Sequence, residues 1–496
     1  MKRFLWLFLL FICLQSSGQY DYSSRCVEAH AHITSLRFDD AGILLEAERA
    51  ENPENLIPVM LENYIDFLTI IVGEDEAVFD SLENLRPEWA RQLKDGDKES
   101  PWYRTLKAQM NLQWAFARLR FGEYFTAARE IRKAYLLLEE NQELYPGFLP
   151  DKVGLGILYA LVGSIPDNYR WIANLFSMYG SVEQGRLELY EVLDRAEAEG
   201  YPYLRNEALF LLSFLELNLQ PDKNKAQDLL AYYRGDDSRN LMLVFAKARI
   251  LMLTAHNDEA ISLLLEYPKG EWYYPFYHLD FLTGLAKLNR LDDDANLFFL
   301  RFTTNFKGNA YVKEAYQKLA WYWLLQGNVD KYHDYMTKVR LYGDDYTDGD
   351  KLAMTEAQSG EIPNLCLLKA RLLFDGGYYH FADSVLDCSD CQMFSDRDKI
   401  GFPYRKGRIA HAMGEYDLAI YWYDQAMELG REQAYYFAAN AALQAGNIRE
   451  SQENFELAEI YFKKCLKMPT KEYRTSINQK ARAGLNRLQD KRKAQH

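Results

Sequence analysis

The chain has 496 residues, of which 48% are hydrophobic and 26% charged, and its net charge is −14 at pH 7. That length and apolar content can bury several cores, which excludes an extended disordered chain. The acidic balance argues against nucleic acid as a partner, because a polyanion would be repelled over most of the surface.

At the N-terminus, Lys2 and Arg3 precede an apolar run from Phe4 to Leu14, followed by the small residues Ser16, Ser17 and Gly18. This pattern predicts a cleaved export signal over residues 1–18, with Gln19 as the new terminus. A retained anchor is the alternative, but the run falls well short of the roughly twenty apolar residues needed to span a bilayer as a helix. Lipid attachment at Cys13 meets the bulky Ile12, a poor approach for that modification. The mature chain is therefore expected to carry no transmembrane segment and to reside in the periplasm or outside the cell.

Residues 19–150 read as N-terminal helical hairpins. Ala41, Leu45 and Pro53 fit one of them, and Ala115, Ala127 and Ile131 fit another. Residues 151–200 are less regular and densely apolar, with Pro166 placed to open a helix at its first turn.

Residues 201–469 carry an internal period. Ala226, Ala260, Ala295, Ala382, Ala419 and Ala458 are each followed four residues later by a large apolar side chain: Leu230, Leu264, Phe299, Leu386, Tyr423 and Phe462. Tyr332 with Met336 fills the slot between Ala295 and Ala382. Twelve residues earlier stands another small residue in most copies: Ala248, Ala320, Ala370 and Gly407, with Thr283 as an approximate match and Phe214 breaking the rule before Ala226. Small residues at both places let two helices approach closely, and the large residue one turn on fills the gap to the next repeat. Gly122, Gly327, Gly377 and Gly414 mark the turns between paired helices. One step is long, and a loop from Leu341 to Gly360 accounts for it. The copy after Tyr423 keeps its first helix through Ala439 and Gly446, then carries about seven extra residues before Ala458. Residues 470–496 read as a basic capping helix, with Ile477, Ala481, Leu485 and Leu488 at helical spacing.

This spacing resembles the tetratricopeptide repeat, most closely through Gly407, Gly414, Tyr416, Ala419, Tyr423 and Ala426. The resemblance implies an all-α fold, a right-handed superhelical solenoid of helical hairpins, and fits an exported bacterial protein of that superfamily. Over about forty residues, Ser164-Ile165-Pro166, Tyr179-Gly180 and Gly185 also resemble a eukaryotic outer-membrane tetratricopeptide family linked to inclusion clearance. That family's Gly-Asp-Arg signature stands here as Gly180-Ser181-Val182, so no function is carried across.

Chemistry-bearing motifs are sparse. Cys388 and Cys391 form a C-x-x-C pair, and the hairpin register brings Cys366 near them. A disulfide stapling the hairpin is the leading reading, with free thiols the alternative. A metal would need further ligands, and none is expected. Asp344, Asp345, Asp348 and Asp350 cluster in one loop, but Tyr346 and Thr355 stand where a calcium loop needs ligands. His30 and His32 point to different helix faces. No nucleophile elbow, phosphate-binding loop or paired-histidine helix occurs, so neither catalytic residues nor a cofactor are assigned.

The arrays that this sequence resembles line a concave groove with first-helix positions two, five, nine and twelve. Counting these places Arg249, Tyr277, Asp280, Lys287, Trp321, Arg371, Tyr404, Arg408, His411, Tyr436 and Asn440 on the groove. Arg371 and Arg408 suit a carboxylate or a peptide backbone. Alternatively, the arginines only pair with neighbouring Asp and Glu. The expected function is a non-catalytic scaffold holding a protein or peptide. The alternative is a glycan-binding protein similar to the starch-binding outer-membrane family, which would need coplanar exposed rings.

Overall fold

The computed structural model describes residues 18–165, 177–387 and 395–494, and every regular element among them is a helix. The expected leader apart from Gly18, together with Pro166, Cys388 and Cys391, lies outside the described residues. Among the described residues no helix is long and apolar enough to cross a membrane. The chain divides into two units. The first holds Met1–Ile250 with Glu266–Phe276, and the second holds Leu251–Leu265 with Tyr277–His496. Both are built from helical hairpins, which makes the protein an all-α solenoid of tetratricopeptide-like repeats.

In the first unit, Ser24–Thr34 pairs with Phe38–Glu51, Pro101–Arg120 with Tyr124–Leu144, and Leu149–Ser164 with Val182–Arg195. Ala41, Ala115 and Ala127 are fully buried where these partners meet. The third pair comes closest. A Cβ on Gly156 would lie 2.6 Å from Leu189 Cγ, and one on Gly185 would strike the Gly156 carbonyl. Only glycine at these positions lets the two backbones touch.

The copy centred on Ala226 departs from the expected hairpin. Its first helix, Leu204–Phe214, runs into a π-turn over Leu215–Leu219, and its second is only the six residues Lys223–Asp228 followed by a 3-10 turn, Leu229–Tyr232. Phe214 is too large for the small-residue slot, and Pro221 cannot continue a helix. Ala226 is still fully buried, but Leu230 is only half-buried.

The second unit is more regular. Its pairs are His278–Asn289 with Ala295–Asn305, Val312–Leu325 with Val329–Leu341, Leu365–Asp375 with Tyr379–Asp387, Asp396–Ala412 with Tyr416–Leu429, and Tyr436–Ser451 with Phe455–Lys467. Ala260, Ala295, Ala382, Ala419 and Ala458 are all fully buried, as are Phe299, Tyr423 and Phe462. The turn glycines Gly327, Gly377 and Gly414 have φ of 75°, 81° and 80°, and Gly122 in the first unit has 79°. This left-handed backbone is the reason glycine stands there.

Three details correct the sequence reading. The segment expected as a loop between Leu341 and Gly360 contains a helix, Asp348–Ser359, opened by a reciprocal cap between Thr347 and Asp350. Near Thr283, the residue that admits the neighbouring ring is Gly284, where a Cβ would lie 3.0 Å from Phe299. The Thr283 hydroxyl instead donates to the Leu279 carbonyl. The last copy has no seven-residue insertion. Gly446 stands to Ala458 as Gly407 stands to Ala419, and the helix simply runs on to Ser451.

The terminal helix, Arg474–Ala494, packs Ile477, Ala481 and Leu488 into the last core. Phe462 is held between two glycines: a Cβ on Gly446 would lie 2.6 Å from one edge of the ring, at Cδ1 and Cε1, and one on Gly484 would lie 2.6–2.7 Å from Cζ and Cε2. Arg487 and Lys491 pair with Glu450, and Arg492 with Glu459, so several of this helix's basic residues are engaged within the fold.

Candidate functional site

A cavity of ≈190 Å³ opens in the second unit between the first helices of three successive hairpins, Leu365–Asp375, Asp396–Ala412 and Tyr436–Ser451. The small residues Ala370 and Gly407 set the approach of these helices to their own partners. A Cβ at Gly407 would fall 2.6 Å from the Tyr423 ring. Pro403 sits inside the middle helix. It has no N–H to offer the preceding turn, so the ladder is interrupted just before Tyr404 and Arg405, the first of this helix's residues to line the cavity.

Three guanidinium groups line the cavity: Arg371, Arg405 and Arg408. Arg371 lies over the Trp321 ring at 4.8 Å and places its Nε 3.7 Å from the Asp375 carboxylate. Burial is the largest influence on Arg371 and opposes its charge, but the attractions of Asp375, Tyr436, Glu356 and Tyr473 together outweigh it and hold the pKa above the usual arginine value. Arg408 lies 4.6 Å from the Phe374 ring and donates to the Tyr404 hydroxyl at 3.1 Å. Asn440 donates to that same oxygen at 3.0 Å. With both acceptor positions taken, the Tyr404 hydroxyl is left to act as a donor. Such stacking and hydrogen bonds hold the planar cations in place before anything binds.

Arg405 is different. Its Nε is buried without a hydrogen-bond partner, and among the described residues no carboxylate forms an ion pair with it. Burial lowers its pKa, and the nearby Arg371 charge adds to that effect. Among the described residues Asp375 is the only carboxylate lining the cavity. Glu356 and Glu472, which also act on Arg371 or its surroundings, are committed elsewhere. Glu356 accepts from Trp321, Tyr332 and Gln317, and Glu472 from Arg397. The cavity therefore carries three fixed positive charges against one negative.

Five of the residues expected on the groove meet here: Arg371, Tyr404, Arg408, Tyr436 and Asn440. His411 lies at the edge of this group, 3.4 Å from the Tyr423 hydroxyl, and burial followed by the Arg408 charge lowers its pKa. Trp321 is buried beneath Arg371, with its indole N–H donated to Glu356 at 2.8 Å. Asp280 pairs with Arg301 at 2.9 Å, Lys287 is buried against Asp292 and Asp294, and Tyr277 caps the start of His278–Asn289. None of these three lines the cavity. Arg249 belongs to the first unit and donates to Asn218 at 3.0 Å.

Arg405 and Asp375 were missed because the positional rule takes the second, fifth, ninth and twelfth residues of a first helix, whereas Arg405 stands sixth and Asp375 thirteenth. The signal available was spacing. Arg405 and Arg408 stand three apart and share a helix face, and Asp375 stands four after Arg371.

The remaining motifs are turned toward structure. Asp350, fully buried, accepts the backbone N–H groups of Tyr311 and Glu314 and the Thr347 hydroxyl, so its carboxylate braces the fold. Cys366 is a free, half-buried thiol. Among the described residues no cluster of three or more His, Cys, Asp or Glu could hold a metal ion.

In the first unit, a small cavity of ≈20 Å³ has Tyr22, His30, Tyr64, Trp102, Tyr203 and Glu207 among its lining residues. The Tyr22 hydroxyl is 2.8 Å from His30 Nδ1, and His30 Nε2 is 4.0 Å from Glu207. Burial lowers the His30 pKa to about 4 and raises that of Glu207 to about 7, although a hydrogen bond from Tyr64 works against the latter.

Residues 403–471 match the family model described as tetratricopeptide repeat. The matched stretch contains Tyr404, Arg405, Arg408, Tyr436 and Asn440, and Arg371 and Asp375 precede it. A search of curated proteins finds no match.

Proposed function

We propose that this tetratricopeptide-like chain is a non-catalytic scaffold that holds a protein or peptide segment, and that the arginine cavity of its second unit is the docking point. Tetratricopeptide repeats in general bind protein partners, and such arrays supply a preformed surface with no reaction centre of their own. The observation that carries the reading is the charge arrangement: Arg371, Arg405 and Arg408 converge on one cavity that, among the described residues, is lined by the single carboxylate of Asp375. Cations that only solvated a groove would be matched by nearby carboxylates, as Lys287 and Lys406 are by two aspartates each. The partner is accordingly read as offering an anionic group. The rings at the cavity do not form a sugar platform, because Tyr404 and Tyr436 meet edge to face at 78°. We place this activity in the periplasm or outside the cell, on the strength of the leader pattern over residues 1–18.

The test is a crosslinking pull-down from native envelope fractions, comparing wild type with Arg371→Glu/Arg408→Glu after circular dichroism shows equal folding. A protein recovered with wild type and lost with the variant supports the groove reading. Equal recovery by both forms removes the cavity from the docking surface.

A further inference from the structure

The net charge of the cavity also bears on the class of anion it takes. Arg371, Arg405 and Arg408 against Asp375 leave two positive charges in a concave setting. A monoanion such as a carboxylate would leave one of them unmatched, and an unpaired charge away from bulk water is costly. The donors are arranged for more than one oxygen. Arg371 and Arg408 are steadied by Trp321 and Phe374, Arg405 has a buried Nε without a hydrogen-bond partner, and the Tyr404 hydroxyl keeps its proton to give. Three guanidinium forks on two adjacent helices suit a group with three terminal acceptor oxygens better than a planar group with two.

We infer that the cavity is a receptor for a phosphate monoester, held through its three terminal oxygens by Arg371, Arg405 and Arg408. A phosphate monoester carries about −1.5 to −2 charge at pH 7 and so meets the excess of positive charge. This rests on the docking site proposed above only for its location. The ester is either a phosphorylated side chain or a free phosphorylated small molecule, and the cavity chemistry is common to both.

The experiment is isothermal titration calorimetry on the full chain with phenyl phosphate, phenyl sulfate and benzoate, which share one ring and differ in the charge and number of their oxygens. Phenyl phosphate is expected to bind at least tenfold more tightly than the other two at pH 7.5. Its affinity should rise between pH 5 and pH 7.5, as the second ionisation near pH 6 is completed. Arg405→Met should lower the affinity at least tenfold. Arg431→Met removes a charge that is exposed and paired with Glu428, and should leave the affinity unchanged. Melting curves check that both variants fold.

Binding of phenyl sulfate or benzoate as tight as that of phenyl phosphate overturns the dianion assignment and leaves the scaffold reading standing. No binding of phenyl phosphate, or equal binding by Arg405→Met, overturns it as well. The pull-down decides the scaffold reading separately. A phosphoserine pentapeptide set beside inorganic phosphate then separates the sources: tighter binding of the peptide assigns the ester to a polypeptide, and equal binding assigns it to a small molecule.

Discussion

Arg405→Met is expected to make the ligand-free protein more stable. In the wild type, the Arg405 Nε is buried without a partner, and the residue shares a helix face with Arg408 three positions on. An unsatisfied buried donor costs about 1–3 kcal/mol, and a like-charge pair at this spacing adds a few tenths. Methionine keeps an apolar stem of similar length and a helix propensity close to that of arginine, so little packing is lost. Losing the distant attraction to Asp375 offsets part of the gain, which leaves about 1–2 kcal/mol of net stabilisation. For a unit of this size that corresponds to a rise in melting temperature of about 2–8 °C. Thermal melts followed by circular dichroism, with urea titrations alongside, read the change. Arg371→Met serves as the contrast, because it gives up the Asp375 pair and the Trp321 stack and should melt lower than wild type. If Arg405→Met melts at or below wild type, the guanidinium is adequately solvated in the free protein. The case for a site held ready for an anion then fails.

Two further substitutions probe the packing and the polar core. Gly407→Ala should destabilise the second unit by about 1–2 kcal/mol in urea titrations. The new methyl would fall 2.6 Å from the buried Tyr423 ring, and the better helix propensity of alanine recovers only about 1 kcal/mol of that crowding. Glu207→Gln should flatten the pH dependence of stability above pH 6.5. Because the folded pKa of Glu207 is raised to about 7, its contribution is complete below pH 4.5 and is lost as pH rises through 7, whereas His30, lowered to about 4, contributes above pH 6.5 and loses that contribution on acidification. Between pH 6.5 and pH 8, of these two groups only the glutamate lowers stability, while the His30 contribution completes its smaller rise. Wild type should lose on the order of 1 kcal/mol there, and the variant should not.

The repeat was legible in the sequence wherever a single pair of contacts defines it. Ala419 with Tyr423, and Ala458 with Phe462, are small-then-large pairs one turn apart, and each marks where two helices close on a ring. Turn glycines were equally plain, since left-handed backbone leaves few other choices. Reading failed where local chemistry overrides the period. The Thr347–Asp350 cap starts a helix that has no partner at the repeat's spacing. At the copy around Ala226, a π-turn and Pro221 shift the register of everything between Phe214 and Tyr232. The expectation of about seven extra residues after Gly446 failed because its twelve-residue distance from Ala458 already places it against Phe462 in a helix that runs on to Ser451. For the site, helix positions five and nine located Tyr404, Arg371 and Arg408. Arg405 enters the same cavity from position six, two residues beyond Pro403, where the helical ladder is already interrupted.

The two glycines that grip Phe462 also give the last repeat a clock. With Gly446 and Gly484 lying over the flat of the ring, a half-turn about the Cβ–Cγ bond must swing its edges toward them. The swept ring would strike the backbone of both helices, so each rotation waits for Tyr436–Ser451 and Arg474–Ala494 to part for a moment. The rotation rate of this one side chain, visible as separate or merged aromatic resonances, therefore counts how often the end of the array breathes. Loosening either helix would show there before any loss of helical signal.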